Sequence, residues 1–318
     1  MLTNEHLLMT CEGVLVFMDK SRLDSSWAAG NYTMYMCVLP AGLSRRCLPT
    51  KAQKLRAAIC MTIEYYDENS LSVRFFDLLA SFDRSIKDNV DVNFYANYLR
   101  SPAQHVLEMG CGTGRVAIAL AIRGHTVIGV DNSEPMLRRA RMKVRKLAST
   151  RVMNVQFLKH DMVTLDLGVR FPLIIVPFYT FNHLNGRMLR ARCLATFAKH
   201  LLPGARVIIH AASPEGLRES GAVKNVHRLK DSSRLEVTWN ERTLDEKQHR
   251  STKIVTYELF TADGNLVAAS NERLTYWWFN DVELKLSAQR AGLEHEQTST
   301  SFGSERGHER IYVLRKPV

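Results

Sequence analysis

No stretch of this 318-residue chain is apolar for long enough to cross a membrane as a helix. The longest apolar runs, at 116–122 and 171–178, fall far short of the ~20 residues such a span requires. The first residues lack a basic segment followed by an apolar one, so no signal peptide is expected and a cytoplasmic setting is the expectation. None of the six cysteines forms a C-x-x-C pair, and no His/Cys spacing suits zinc. Reduced, unbridged thiols and no metal site are therefore expected. Internal repeats and low-complexity tracts are also missing. With 46% hydrophobic and 24% charged residues the composition excludes a disordered chain. The length suffices for one large α/β domain with additions, or for two small domains.

A net charge of +11 invites a nucleic-acid reading, but the excess is narrowly placed. Residues 1–60 hold a surplus of three positive charges. Residues 137–151 hold Arg138, Arg139, Arg141, Lys143, Arg145, Lys146 and Arg151 with no acid. The remainder is close to neutral. One basic helix is not a groove-wide field, so a solvated helix face is the plainer reading. RNA, DNA or an acidic partner is the alternative, and nucleic acid is not favoured.

Hydrophobic patterning divides the chain. Residues 1–60 contain four of the six cysteines and show no sustained period, only short apolar runs at 14–18 and 32–39. From 105 onward strands and helices alternate, the pattern of a parallel sheet covered on both faces. Strands are expected at 105–109, 126–131, 155–159, 173–176 and 206–210. Helices are expected at 115–123, stopped by Gly124; from a Ser133 cap, with Pro135 in the first turn, to Leu147; and at 185–202, closed by Pro203-Gly204. The rhythm then stops. Segments 234–241, 249–260 and 266–279 have strand composition, with Asp263-Gly264-Asn265 as a hairpin turn between the last two. An antiparallel insertion of two or three strands is expected over about 213–279, serving as a lid or a dimer surface. A helix at 281–291, capped by Asp281 and followed by Gly292, and a closing strand pair at 293–302 and 310–315 complete the pattern.

The most informative stretch is Val106-Leu107-Glu108-Met109-Gly110-Cys111-Gly112-Thr113-Gly114. An apolar strand runs into an acid and then into three glycines at alternate positions. A turn that tight needs residues without a Cβ, which can reach unusual φ/ψ values and lie against a ligand. A dinucleotide fingerprint would place its third glycine where Arg115 stands. The pattern E-x-G-x-G-x-G instead resembles motif I of the class I S-adenosylmethionine-dependent methyltransferases. Residues 61–67, and the run I-V-P-F-x-x-F-x-H-L at 175–184 followed by a helix and L-x-P-G, are similar to a broad group of small bacterial methyltransferases. The resemblance spans roughly residues 65–318.

That resemblance implies an α/β fold: a Rossmann-like, doubly wound, seven-stranded sheet with a late antiparallel insertion. It implies a methyltransferase domain at 61–318 with its cofactor-binding core at 101–212. Residues 1–60 are then expected to be a dispensable extension or an artefact of an upstream start. The implied cofactor is S-adenosylmethionine. Gly110, Gly112 and Gly114 would admit its methionine portion, with Cys111 a small spacer and Glu108 orienting the loop and the ammonium. Asp131, with Asn132 beside it, would accept both ribose hydroxyls, a bidentate contact that no neutral side chain makes as well. NAD enzymes use an acid at the same place, so Asp131 alone does not discriminate. Met136 would pack on the adenine, and Asp161 with the Met162 backbone would receive its amino group, a simple turn cap being the alternative for Asp161. Pro177 belongs to the same cofactor set.

Amino-methyltransferases of DNA and RNA carry an Asn/Asp/Ser-Pro-Pro-Tyr/Phe tetrad after the fourth strand. Here Val176-Pro177-Phe178-Tyr179 lacks the polar acceptor, so nucleobase amine chemistry loses its main support. A small molecule methylated on N, O or C is the expected partner. The displacement at the sulfonium methyl needs alignment more than a strong acid or base. Tyr66, Phe178, Phe181 and Trp277 are expected to wall the substrate pocket, with core packing as the alternative for each. His183 is the candidate base, with Tyr179 as the second catalytic candidate and His210 a weaker base; a merely pocket-lining histidine is the alternative. The rivals are an RNA or protein methyltransferase using the 138–146 helix, and a non-catalytic cofactor-binding protein.

Overall fold

The computed structural model describes residues 6–11, 14–19, 62–83, 86–99, 101, 103–148, 153–219, 221–302 and 308–318, the first two segments by backbone alone. The chain forms two units. In the smaller (Met1–Thr62, Asn225–Val237 and Thr256–Asn271), strands β1 (His6–Cys11) and β2 (Val14–Asp19) form an antiparallel ribbon in which Cys11 pairs with Val14. The rest of the expected 1–60 extension lies outside the described residues.

The larger unit (Ile63–Lys224, Thr238–Val255 and Glu272–Val318) follows the short strand β3 (Thr62–Glu64). It opens with helices α1 (Leu71–Ala80) and α2 (Val90–Ala96). An alternation then runs β4 (His105–Met109), α3 (Arg115–Ile122), β5 (Thr126–Asp131), α4 (Glu134–Ala148) and β6 (Val155–Lys159). It continues with β7 (Phe171–Val176), α5 (Gly186–His200) and β8 (Leu201–Ala212), and ends at α6 (Pro214–Arg218). Along the chain four more strands follow, parts of which belong to the smaller unit: β9 (Val223–Arg228), β10 (Arg234–Asp245), β11 (Arg250–Phe260) and β12 (Leu266–Trp277). Helix α7 (Asp281–Arg290) and strands β13 (Glu294–Ser299) and β14 (Glu309–Arg315) close the chain.

The main sheet has seven strands in the order β13-β14-β8-β7-β4-β5-β6. The five from β4 to β8 are parallel, and β14 runs antiparallel to β8. Strand order reverses between β4 and β7, which opens a crevice at the carboxyl ends of the strands. Strand alternation sorts the core: Val106, Leu173, Ile175 and Ile208 face α2, α3 and α4, while Leu107, Met109, Ile174 and Val176 face α5 and α7.

Three local expectations are corrected. Helix α5 stops at His200, not at Pro203-Gly204, and β8 begins at once. Pro203-Gly204 instead occupies an irregularity: Phe171 pairs with Leu201 and Leu173 with Arg206, leaving extra β8 residues to bow out. The N-cap of α7 is Asn280, whose side chain accepts from the Glu283 N–H at 2.8 Å; Asp281 accepts the Tyr312 hydroxyl at 2.7 Å. The late antiparallel strands number four, and with β3 they make a five-stranded sheet of order β3-β12-β11-β10-β9. Strand β9, Val-Lys-Asn-Val-His-Arg, escapes sequence reading because it is an exposed, polar edge.

Glu272 of β12, wholly buried, fixes the start of α1. Its carboxylate accepts the Leu71 N–H at 2.6 Å and the Ser72 N–H at 3.1 Å, two of the orphan donors of a helix N-terminus. Glu272→Ala should lower unfolding free energy by about 2–3 kcal/mol, the scale of hydrogen bonds to a charged group. Urea denaturation of the variant beside wild type measures it; a loss within experimental error would mean the contact is dispensable.

Candidate functional site

Strand β4 leaves the sheet through left-handed glycines, Gly110 at φ +68° and Gly114 at +74°. A Cβ on Gly110 would lie 2.1 Å from Thr180 Cγ2, and one on Gly114 would lie 2.6 Å from the Phe157 ring. Conformation and space both require glycine there. Cys111 turns its sulfur onto Gly129 of β5, where a Cβ would come within 2.9 Å, and burial pushes its thiol pKa up. Asp131, the last residue of β5, accepts the Gly112 N–H at 2.7 Å and the Ser133 N–H at 2.8 Å. Burial raises its pKa, opposed by those backbone donors. The Ser133 hydroxyl donates to the Tyr66 carbonyl at 3.1 Å, so it ties down the segment before α1, while its carbonyl accepts the Leu137 N–H of α4 at 3.1 Å.

Glu108 is 2% exposed, and its Oε2 has no hydrogen-bond partner among the described residues. Desolvation pushes its pKa up to about 8, with Arg115 only partly offsetting this. The Arg115 guanidinium is itself committed to Asp91, at 3.0 and 2.5 Å. A buried carboxyl with an unsatisfied oxygen is costly, and such atoms are retained where a ligand completes them.

These groups share a cavity of about 800 Å³ at the carboxyl ends of β4, β5, β6 and β7. Glu108, Gly110, Cys111, Gly112, Asp131, Asn132, Met136, Asp161, Met162 and Pro177 all line it. Gly114 does not; it props the turn on Phe157. Asp161 also closes a local turn, its Oδ1 accepting the Val163 N–H at 2.8 Å. Of the expected substrate wall, Tyr66 and Phe178 line the cavity. Phe181 does not: it is fully buried between Phe197 and Phe279, at 6.3 and 5.4 Å. Trp277 is likewise outside the lining, and its carbonyl accepts Asn182 Nδ2 at 3.2 Å. The neighbouring Tyr276 takes the buried face of β12 instead, 4.8 Å from the His183 ring. Period-2 alternation from Glu272 through Leu274 would have found it. Phe76 and Thr180, also in the lining, carry no sequence signal of their own.

The turn after β7 places two non-glycine residues in the left-handed region, Phe178 at φ +48° and Tyr179 at +64°. That conformation costs on the order of 1–3 kcal/mol per residue and must be held from outside. His210 holds it: its carbonyl accepts the Tyr179 N–H at 3.0 Å and its Nδ1 the Phe178 N–H at 3.3 Å. Burial pushes the His210 pKa down to about 3, which keeps the imidazole neutral and Nδ1 free to accept. His210 thus serves the turn. Tyr179 packs on His210 at 4.8 Å and is absent from the lining. His183 does line the cavity, between Tyr276 and Tyr66 (5.8 Å), and burial lowers its pKa to about 4.

Helix α4 spends much of its charge internally. Lys143 and Arg139 meet Asp77 of α1 at 2.8 and 3.9 Å, Arg138 pairs with Glu68, and Arg141 meets Glu134 at 2.7 Å.

A family model described as a methyltransferase domain matches residues 106–204. The cypemycin N-terminal methyltransferase of a Streptomyces species is 26% identical over 219 residues, covering 66% of this chain and 82% of that protein. An O-methyltransferase of Pyrenophora dematioidea is 32% identical over 136 residues, covering 42% and 49%. Among solved structures, the CcbJ methyltransferase from Streptomyces caelestis is 25% identical, with a TM-score of 0.61 over 80% of this chain and 100% of that one. An amino pentose methyltransferase from Micromonospora echinaspora is similar in fold, with a TM-score of 0.63 over 76% and 96% at 20% identity.

The raised Glu108 pKa ties stability to pH. Stability that depends on its neutral form is fully present below the unfolded value of 4.5 and is lost as pH rises through about 8. The ligand-free protein should therefore lose on the order of a few kcal/mol between pH 5 and pH 9, and Glu108→Gln should lose less. Denaturation curves at both pH values give the comparison; equal losses in the two proteins would refute the assignment.

Proposed function

We propose that this chain, which belongs to the class I S-adenosylmethionine-dependent methyltransferase superfamily, transfers a methyl group to a small molecule held against a neutral aromatic wall. The enzyme's cofactor is S-adenosylmethionine, which supplies an electrophilic methyl group on a sulfonium. One observation carries the assignment of its site. A single cavity unites an orphaned buried carboxyl, a glycine turn without room for a Cβ, and two further strand-end carboxylates. Glu108 would meet the ammonium, and a cation there would reverse the desolvation that keeps its proton on. Each Asp131 oxygen already accepts one backbone N–H and keeps a lone pair for a ribose hydroxyl. Met136 and Gly112 would flank the adenine, with Asp161 and Met162 at its amino edge and Asn132 and Pro177 beside them.

On the acceptor side, Tyr66, Phe76 and Phe178 exclude water where charge is neutralised. His183 is uncharged at neutral pH and can take the proton of an amine or hydroxyl. The names of the relatives divide between an N-terminus and an oxygen, which leaves the methylated atom to the cavity's chemistry. Ion pairing of Arg138, Arg139, Arg141 and Lys143 within the protein leaves an RNA-binding reading of this helix with less support. We assign the methyltransferase domain to residues 61–318 and treat 1–60 as an extension. Two buried free thiols, Cys111 and Cys193, suit the cytoplasm.

Asp131→Ala should weaken binding of S-adenosylhomocysteine ~10-fold or more, since a charge-assisted hydrogen bond contributes about 1.5–3 kcal/mol. Calorimetry reads this directly, and undiminished affinity would remove Asp131 from the site. His183→Ala should lower kcat while that affinity stays put. Because the imidazole is neutral down to about pH 4, wild-type turnover should show no acid limb near pH 6.5. A limb at 6.5 that vanishes in His183→Ala would contradict the burial argument.

A further inference from the structure

Two cations near Tyr276, the half-buried Arg242 and the buried Lys253, have no counter-ion among the described residues. Among the described residues, Arg242 of β10 makes one side-chain hydrogen bond, Nη1 to Ser251 Oγ at 3.1 Å, and its Nε is buried without a partner. Lys253 of β11 is 8% exposed; its Nζ donates to the Gly221 carbonyl at 3.5 Å and lies 6.0 Å from the Trp239 ring. Among the described residues neither forms an ion pair. Glu219, the acid that acts on Arg242 from a distance, is held by His308 at 2.9 Å. Elsewhere the same unit pairs its buried cations, Arg115 with Asp91 and Arg190 with Glu283. An unpaired buried charge costs several kcal/mol, and desolvation lowers the pKa of both groups. Arginine nevertheless stays charged.

Their position links them to the site. The hydroxyls of Thr252 and Thr275 lie 3.4 Å apart across β11 and β12, a register that sets Ser251 opposite Tyr276. Ser251, Lys253 and Tyr276 are all buried, on the same face of the strands. The Tyr276 ring lies 4.8 Å from His183. A row therefore leads from the candidate base to Tyr276 and on across Ser251 to the guanidinium, the last part roughly 10 Å at ordinary strand spacing.

We infer that Arg242 and Lys253 form an anion-binding subsite for the methyl acceptor, which carries a carboxylate or phosphate remote from the atom that is methylated, roughly 10 Å beyond Tyr276. The inference rests on the methyltransferase reading. The guanidinium fork suits two oxygens of one anionic group, and the ammonium adds a second positive charge two residues along β11.

The test uses the full-length protein loaded with S-adenosylhomocysteine and titrated calorimetrically with pyrophosphate and, separately, with succinate. Wild type should bind one of them, and which one identifies the anion as phosphate or carboxylate. Arg242→Gln and Lys253→Gln should each weaken that binding ~10-fold or more while S-adenosylhomocysteine affinity is unchanged. Both variants should melt at or above the wild-type temperature, because each removes a desolvated, unpaired charge. Should one variant fold poorly, the other reads the same quantity. The inference is overturned if wild type binds S-adenosylhomocysteine but neither anion, if the variants bind the anion as wild type does, or if both variants collapse, which would make the cations structural. Failure of S-adenosylhomocysteine to bind wild type would overturn the reading beneath it instead.

Discussion

The end of β5 holds the turn that leaves β4, and the candidate site depends on that hold. The Val130 carbonyl accepts the N–H groups of Gly110 and Cys111 at 2.7 and 3.0 Å, and the Asp131 carboxylate takes that of Gly112. Three successive amides of a glycine-rich segment are thereby fixed by two neighbouring residues. Without those acceptors, a run of glycines would have more conformational freedom than any other sequence. The same carboxylate accepts from Ser133, and Ser133 in turn holds the Tyr66 carbonyl. One side chain thus connects the cofactor turn, the entry to α4 and the first aromatic of the acceptor wall. Parallel strands make this economical, because all of them deliver their ends to one edge.

The acceptor wall comes from segments far apart in sequence, and buried polar contacts rather than apolar packing set their positions. Glu272 fixes the start of α1, which carries Phe76. Asn182 is wholly buried and accepts the Ala212 N–H at 2.8 Å while donating to the Trp277 carbonyl. His210 stabilises the left-handed pair Phe178 and Tyr179 from below. Hydrophobic burial is non-directional and would tolerate small slips of these loops. Directional hydrogen bonds inside a low-dielectric core do not, since a slip leaves a polar atom unsatisfied at a cost of about 1–3 kcal/mol.

Sequence reading reaches the parallel sheet well because its signals are local. Strands β4, β5 and β6 are apolar runs that stop at glycine or charge, and Gly124 ends α3 in a left-handed conformation, as expected. The residues proposed for the cofactor side sit at strand ends that those same signals locate. The acceptor side is less legible because it depends on which face a residue presents after long-range pairing. Trp277 has the composition of a pocket wall, yet the register of β12 gives the inward face to Tyr276. Tyr179 and Phe181 follow β7 within a few residues, as Phe178 does, and the backbone turn decides that Phe178 lines the cavity. The hydrogen-bond partner of His210, 32 residues away, has no local signature.

Charge gives the sharpest contrast between counting and placement. The surplus that dominates the sequence lies on α4, where Asp77 and Glu68 from outside the helix and Glu134 from its own first turn take up much of it. Exposed pairs of that kind contribute little to stability and leave a modest field for a polyanion to find. Arg242 and Lys253 are invisible in such a count, since their stretch of strand also carries Glu241 and Asp245. Burial reverses the ranking: a partially desolvated cation without a partner interacts with an incoming anion through a lower effective dielectric than a solvated one. The few charges able to choose a ligand here are those the fold isolates, on the sheet that carries Tyr276 to the cavity's edge.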